Sequence, residues 1–444
     1  MLRRIAFVFP LLVMACSKKD EPVIPTGPVT QKEINSWMLD SMRYFYLWND
    51  QLPAKADTTL TATAFFNQMK SSEDRFSFLY NPADHSTYPK YMLYAYGIDF
   101  SVIDWPTAPG GVYGVVKLVI PGSVAALNGI QRGSYFTQIN GTTLTSANAG
   151  TLSNTMLQSG STATLTMATG NVITLPAQGL GENPIYRQNT FPVNGKTVGY
   201  LFYNYFDDVY NRALSDAFLQ FKNAGVTELI LDLRYNPGGS VAAAALLNVF
   251  IAPGINEQST FAKYTGNSHL GQKTISFKSA LSVPESGAPL SFNDQPKLSL
   301  TRVFILSGTK TASAAELTIN ALKPYTQVIQ IGQTTYGKDK GAITIQNTRI
   351  PWVLLPITYN LSNAKGEGGY TKGITPQYQL DEMATQPLSP LGDMNDPLIA
   401  KALSIIEGSG RQTGTTEEVR RYYDSGKDAA NMSTVKIPRT LTGQ

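Results

Sequence analysis

At 444 residues, 42% of them hydrophobic and 15% charged, the chain is long enough to bury a sizeable core in two or three domains. Its 36 Lys and Arg against 32 Asp and Glu leave a net charge of +4, with the basic residues scattered rather than gathered in a stripe, so a nucleic-acid partner is not indicated. A single cysteine, Cys16, excludes an intramolecular disulfide.

Residues 1–15 begin with Arg3 and Arg4, continue through the apolar run Ile5 to Met14 and reach Ala15 just before Cys16. This is the pattern of a signal peptide, too short for an ordinary membrane-spanning helix. Val13-Met14-Ala15-Cys16 resembles a bacterial lipobox, with Met14 where a small residue is usual, and the resemblance implies cleavage before Cys16 and lipidation of its sulfur. Residues 16–30, with Lys18, Lys19, Asp20 and Glu21 and then a proline-rich run to Pro28, read as a solvated tether. The expectation is an exported protein held by an acyl anchor at the bacterial cell envelope, on the periplasmic face or the cell surface. From 31 to 85, Ile34, Trp37, Met38, Met42, Phe45 and Tyr46 recur at helical spacing, and Ala64 to Met69 forms a second helical run. We expect a small helical N-terminal domain that packs under the lower side of a cleft.

Residues 90–180 change character. Tyr96-Gly97-Ile98-Asp99-Phe100, Gly114 to Ile120, the Pro121-Gly122-Ser123 turn, Arg132-Gly133 and Gln138 to Gly141 make a strand, turn, short helix and hairpin sequence. The segment resembles a PDZ domain. The resemblance implies that an extended peptide adds to a sheet edge, with its terminal carboxylate on the amides of Gly97, Ile98 and Asp99.

The region 185–407 carries the chemistry. Glu228 to Leu233 reads as a strand, Arg234 to Gly239 as a glycine loop and Ser240 to Phe250 as an apolar helix; glycine amides at a helix start suit an oxyanion. Residues 255–300 read as an irregular insertion. Val303 to Leu306 and Val328 to Ile331 are apolar strands on either side of a helix, Ala314 to Leu322, stopped by Pro324. One β-α-β unit of this kind puts the loops after both strands, with Ser313 and Lys338, at the same sheet edge. A serine nucleophile needs a base, and a lysine serves as one when burial lowers its pKa. The only histidines, His85 and His269, sit in turn and loop settings that suggest no partnership with Ser313. Ser313-Ala314-Ala315-Glu316 also reads as a helix capping box, and Lys338 after Gly337 as an exposed turn lysine. After the strand Trp352 to Tyr359, a last helix ends at Glu407, and residues 408–444 form a polar tail.

Gly199 to Phe206, Asp232 to Gly239, Thr311 to Glu316 and Tyr336 to Lys338, in that order and behind a PDZ-like segment, resemble the C-terminal-processing, or tail-specific, serine peptidases. The resemblance covers most of residues 31–405. It implies an α/β fold with a Clp-protease/crotonase-like catalytic domain, Ser313 as nucleophile, Lys338 as general base, the amides of Gly238 and Ala314 as oxyanion donors and Glu316 as structural support. Polypeptides would be the substrates and no cofactor would be needed; no metal-ligand spacing or phosphate-binding glycine motif stands in the chain. In one respect the chain departs from the family: where many members carry a glutamine four residues after the lysine, Ala342 stands here. Gln346 or Asp339 is the candidate substitute, and Lys340 a rival base. The expected function is a serine endopeptidase acting through an acyl-enzyme. A catalytically inactive peptide-binding lipoprotein and an esterase or amidase of the same fold are the alternatives.

Overall fold

The computed structural model describes residues 27–87, 96–178, 182–284, 286–408, 418–425 and 435–436. The leader, Cys16, most of the tether and the remainder of the tail lie outside these residues. The chain opens with α1 (Gln31–Phe45), α2 (Ala62–Met69) and β1 (Phe78–Tyr80). It continues with β2 (Ile98–Asp104), β3 (Val112–Val119), α3 (Val124–Leu127), β4 (Tyr135–Ile139), β5 (Thr142–Thr143), α4 (Ala149–Ser159), β6 (Ala163–Met167) and β7 (Val172–Leu175). Next come β8 (Ile185–Val193), β9 (Lys196–Tyr203), α5 (Asn211–Asn223), β10 (Glu228–Asp232), α6 (Val241–Ile251), β11 (Thr260–Thr265), β12 (Gln272–Ser276) and α7 (Phe277–Leu281). The rest are β13 (Arg302–Ser307), α8 (Ala314–Leu322), β14 (Gln327–Gly332), β15 (Lys340–Ala342), β16 (Val353–Leu355), β17 (Ile357–Ser362), β18 (Tyr378–Gln379), α9 (Pro397–Ile406), β19 (Arg421–Asp424) and β20 (Val435–Lys436).

The central sheet has the order β18-β14-β13-β10-β9-β8. Its pairs are parallel except for the β8–β9 hairpin. Every residue of β10 is buried, as a strand covered on both faces requires. On one face lie α6 and α8, buried all round; on the other lies α9, with Leu398, Ile399 and Leu403 against Ile329 and Ile331. Ser240 caps α6 and Asp396 caps α9, both through side-chain bonds to first-turn amides. With β13 and β14 in parallel register from Arg302↔Gln327 to Ser307↔Gly332, the loops that follow them leave at one edge, as the β-α-β reading expects.

Residues 31–85 carry the small helical N-terminal domain, and it packs closely on the central region: Met38, Met42, Phe65 and Phe66 share one apolar cluster with the central helices, and β1 pairs antiparallel with β16. Two parts differ from the sequence expectations. Residues 255–300 are not simply an irregular insertion: β11 and β12 form a hairpin in a second sheet of order β12-β11-β17-β15-β20. The tail is not polar extension throughout, because β19 joins a third, seven-stranded sheet, β19-β2-β3-β4-β6-β7 with β5 on β4. The second sheet takes β17 onto β11 and the third takes β19 onto β2, partners far along the chain, so local pattern carries no trace of these pairings.

A buried charge network joins the third sheet to the central one. Arg234, the largest fully buried side chain among the described residues, donates to both carboxylate oxygens of Asp396 at 2.8 and 3.0 Å, to Glu382 at 2.9 Å and to Asp232 at 3.0 Å. Arg132, from the turn between α3 and β4, reaches Glu382 at 2.9 Å and the carbonyls of Lys117 and Ser389 at 2.7 Å. Both guanidiniums hold Glu382 ionised against its burial, so its pKa lies well below the carboxylate range. Removing one member of such a set leaves uncompensated charges in the interior. Arg234→Ala is expected to destabilise the fold by about 3–5 kcal/mol, read from urea unfolding midpoints; a loss no larger than that of an exposed arginine would contradict it.

Candidate active site

Glu316 organises the edge where β13 and β14 end. From the first turn of α8 its carboxylate accepts the N–H of Ser313 at 3.0 Å and the N–H groups of Gly337 and Lys338 at 2.7 Å each, together with the Thr335 hydroxyl. Thr335 Oγ1 in turn accepts the Ile374 amide at 2.7 Å. One side chain thereby fixes the backbone of both Ser313 and Lys338. Burial pushes the Glu316 carboxyl up to about 7, while the four donors pull the other way.

Ser313 sits at φ 57°, ψ −117°, a conformation outside the ordinary regions for an L-residue, which costs on the order of 1–3 kcal/mol. The carboxylate half of the capping box forms, but the Ser313 hydroxyl is buried and makes no hydrogen bond. Its strained backbone follows from what surrounds it. A Cβ on Gly238, at φ +108°, would lie 2.7 Å from Ser313 Cβ and 2.8 Å from Ala314 N, so only glycine lets the loop after β10 come this close. The Ala314 N–H belongs to the first turn of α8, where a helix supplies no carbonyl partner. The Gly238 N–H donates to Asn236 Oδ1 at 2.8 Å.

Lys338 is fully buried. Burial drives its pKa well below that of an ordinary lysine; Glu316 opposes this and Arg75 adds to it. Its Nζ lies 5.0 Å from the centroid of the Phe76 ring, and Arg75 Nη2 donates to the carbonyls of Gly337 at 3.1 Å and Thr371 at 3.3 Å. The N-terminal segment therefore forms one wall of the site. Lys340, the rival base, is in a 2.6 Å ion pair with Asp339. Gln346 lines a separate surface pocket with Asn81 and Trp352. The ring of His269 stacks on Tyr44, so it is engaged away from Ser313.

The structure thus brings Ser313, Ala314, Glu316, Lys338 and Gly238 together. Gly97, Ile98 and Asp99 are elsewhere, at the start of β2: Ile98 and Asp99 pair with Val119 and Leu118, and the Asp99 carboxylate is taken up by Lys310 and Ser425. Sequence reasoning did not find Arg75, Phe76, Thr335 or Asn236. It also missed Tyr370, whose buried hydroxyl has Glu316 and Asp339 as charged neighbours. Asn236 stands inside the Asp232 to Gly239 motif, but nothing in the motif shows its side chain turning back on the Gly238 amide. Among the described residues no group of three or more His, Cys, Asp or Glu could hold a metal ion.

A model of Peptidase family S41 matches residues 197–380, and a model of the Peptidase S41 N-terminal domain matches residues 33–78. The carboxyl-terminal-processing protease of Picosynechococcus sp. is 28% identical over 237 residues, half of each chain, so the chain spans about half the length of that curated relative. A crystal structure from Bacteroides fragilis assigned to the S41 proteases is 28% identical, with TM-score 0.69 over 87% of this chain and 100% of that one. The Photosystem II D1 C-terminal processing protease, 16% identical with TM-score 0.50 over 85% of this chain and 99% of that one, shares the fold. With both S41 models matched in order and the residues between β13 and β15 converging on one edge, the chain belongs to peptidase family S41.

Proposed function

We propose that the protein is a serine endopeptidase that hydrolyses extended or C-terminal polypeptide segments, with Ser313 as nucleophile and neutral Lys338 as general base. The observation that carries this reading is the Glu316 carboxylate, which accepts from the backbone of both residues while the Ser313 hydroxyl is left without a partner and burial strips Lys338 of its proton affinity. Lys338 takes the hydroxyl proton as Ser313 Oγ attacks the scissile carbonyl carbon. The oxyanion meets the Ala314 N–H at the positive end of α8, and the Gly238 N–H once Asn236 Oδ1 gives it up. Collapse expels the amine, which leaves with the proton from Lys338, and an ester remains on Ser313. Water, deprotonated by Lys338, then releases the acid and restores the hydroxyl.

Ser313 and Lys338 are both fully buried, so the resting site must open before a substrate enters. The seven-stranded sheet fits the PDZ-like reading, with Gly97 to Asp99 at the start of β2 where a peptide terminus would arrive. The lipobox-like sequence supports an anchor on Cys16 at the cell envelope; Cys16→Ser is expected to move the protein from the membrane to the soluble fraction, and unchanged fractionation would remove the anchor from the reading.

With unfolded protein as substrate, Ser313→Ala and Lys338→Ala are each expected to lower kcat/KM by at least about 10³-fold while circular dichroism stays that of the wild type. An active Lys338→Ala would assign the base elsewhere, and an inactive wild type would leave a binding protein. Only neutral Lys338 accepts a proton, and its pKa is lowered, so kcat/KM should rise with pH and level off well short of 10.5. A profile still climbing at that pH would show an ordinary, solvated lysine.

A further inference from the structure

The wall beneath Lys338 is set by a buried acid that belongs to neither catalytic loop. Asp74, in the turn after α2, is buried, and its Oδ1 accepts the N–H of Phe76 at 2.9 Å and that of Ser77 at 2.8 Å. Its Oδ2 accepts the hydroxyl of Tyr46, the residue after α1, at 2.7 Å, and that hydroxyl in turn accepts the Ser71 amide at 2.9 Å. Ser77 Oγ accepts the Ile357 amide at 2.8 Å, which ties the turn to β17. Asp74 therefore fixes the backbone of Phe76, and the Phe76 ring is the surface over which Lys338 Nζ lies. Arg75, exposed between these two buried residues, covers the rings of Phe76 at 4.7 Å and Tyr336 at 5.5 Å while it bonds the carbonyl next to Lys338. Two consecutive residues of opposite charge thus stand beside one lysine.

We propose that Asp74 and Arg75 are positioning residues for the base of the peptidase: Asp74 seats Phe76 beneath Lys338, Arg75 seats Gly337 beside it, and their charges act on the lysine in opposite senses. Burial is the chief reason Lys338 holds its proton weakly; Glu316 of α8 opposes it, Arg75 adds to it and Asp74 opposes it. The other polar groups nearby leave this balance alone. Asp339 and Lys340, on the segment of Lys338 itself, pair with each other, and the hydroxyls of Tyr370 and Tyr46 are pushed up by burial and by carboxylates, so both stay neutral where Lys338 titrates. Asp74 is buried and Arg75 exposed, so salt screens the second and spares the first. The consequence for catalysis rests on the peptidase reading; the effect on the lysine's proton does not.

The test follows the proton of Lys338 directly, by NMR of the lysine Cε resonances in full-length, isotope-labelled chain carrying Ser313→Ala and Cys16→Ser; Lys338→Met identifies the signal by its loss. Asp74→Asn keeps the acceptor for Phe76 and Ser77 but removes the charge, and should lower the midpoint of the titration by about half a pH unit or more. Arg75→Gln should raise it, and Arg75→Lys should bring it back. Salt at about 1 M should shrink the Arg75→Gln shift and spare that of Asp74→Asn. With Ser313 restored, the rise of kcat/KM with pH should move with the NMR midpoint in each variant. Glu316, pushed up to about 7, is common to all of them and cancels from the comparison. Midpoints that shift in one direction only, or do not move, overturn the proposal, since lost packing alone gives no opposite signs. If Asp74→Asn fails to fold, the exposed Arg75 decides: an unmoved midpoint in Arg75→Gln, or one that Arg75→Lys leaves displaced, overturns it. Opposite NMR shifts alongside a Ser313 enzyme that cleaves no polypeptide uphold the effect on Lys338 and overturn only the peptidase reading.

Discussion

The site depends on one buried carboxylate. Glu316 is compensated by three backbone amides and a hydroxyl that reach it from two loops. An ionised carboxylate without such donors would cost many kcal/mol in the interior, so the loops after β13 and β14 are constrained to converge wherever Glu316 is. That convergence sets the distance between the backbones of Ser313 and Lys338 and explains why Ser313 tolerates a positive φ. The strain is local, and the bonds that overdetermine it are on neighbouring residues.

A second constraint acts at longer range. Arg234 immediately precedes the Tyr235 to Gly239 loop, whose Gly238 lies against Ser313, and its partners Asp232, Glu382 and Asp396 come from β10, from the segment after β18 and from the cap of α9. Arg132 brings the third sheet into the same cluster through Glu382. The loop that approaches the nucleophile is thus seated on charges from four parts of the chain. A displacement of Arg132 changes the balance of charge at Glu382, and Glu382 also accepts the Tyr235 hydroxyl at 2.6 Å. The physical link between the third sheet and the loop is therefore short and wholly buried.

What was legible in the sequence was whatever repeats locally. Alternation of apolar strands with an alanine-rich helix marked β10 to α6 and β13 to β14, and the short motifs at their ends marked Ser313, Gly238 and Lys338, because a loop at a strand end and a helix cap are both written within a few residues. The pairings of β1 with β16, of β19 with β2 and of β11 with β17 were not legible, since a short strand acquires its meaning only from a partner far along the chain. The ion network escaped for the same reason: Arg234 and Asp232 share one motif, yet nothing near them announces Glu382 or Asp396. Arg75 and Phe76 follow the second helical run without a motif of their own, and only the docking of that segment turns them toward Lys338.

That docking bears on how the protein can be inherited and cut. Phe76 lies beneath Lys338, and Arg75 bonds the carbonyl beside it, although 262 positions separate Arg75 from Gly337 in sequence. A border drawn before β8 to isolate the central sheet would pass through the surroundings of the lysine, leaving it open to water with an ordinary proton affinity. The helical segment and the central sheet are consequently a single unit of recombination, whatever the length of chain that falls between them, and a gene fragment encoding the sheet alone would carry the nucleophile while leaving behind what makes its neighbour a base.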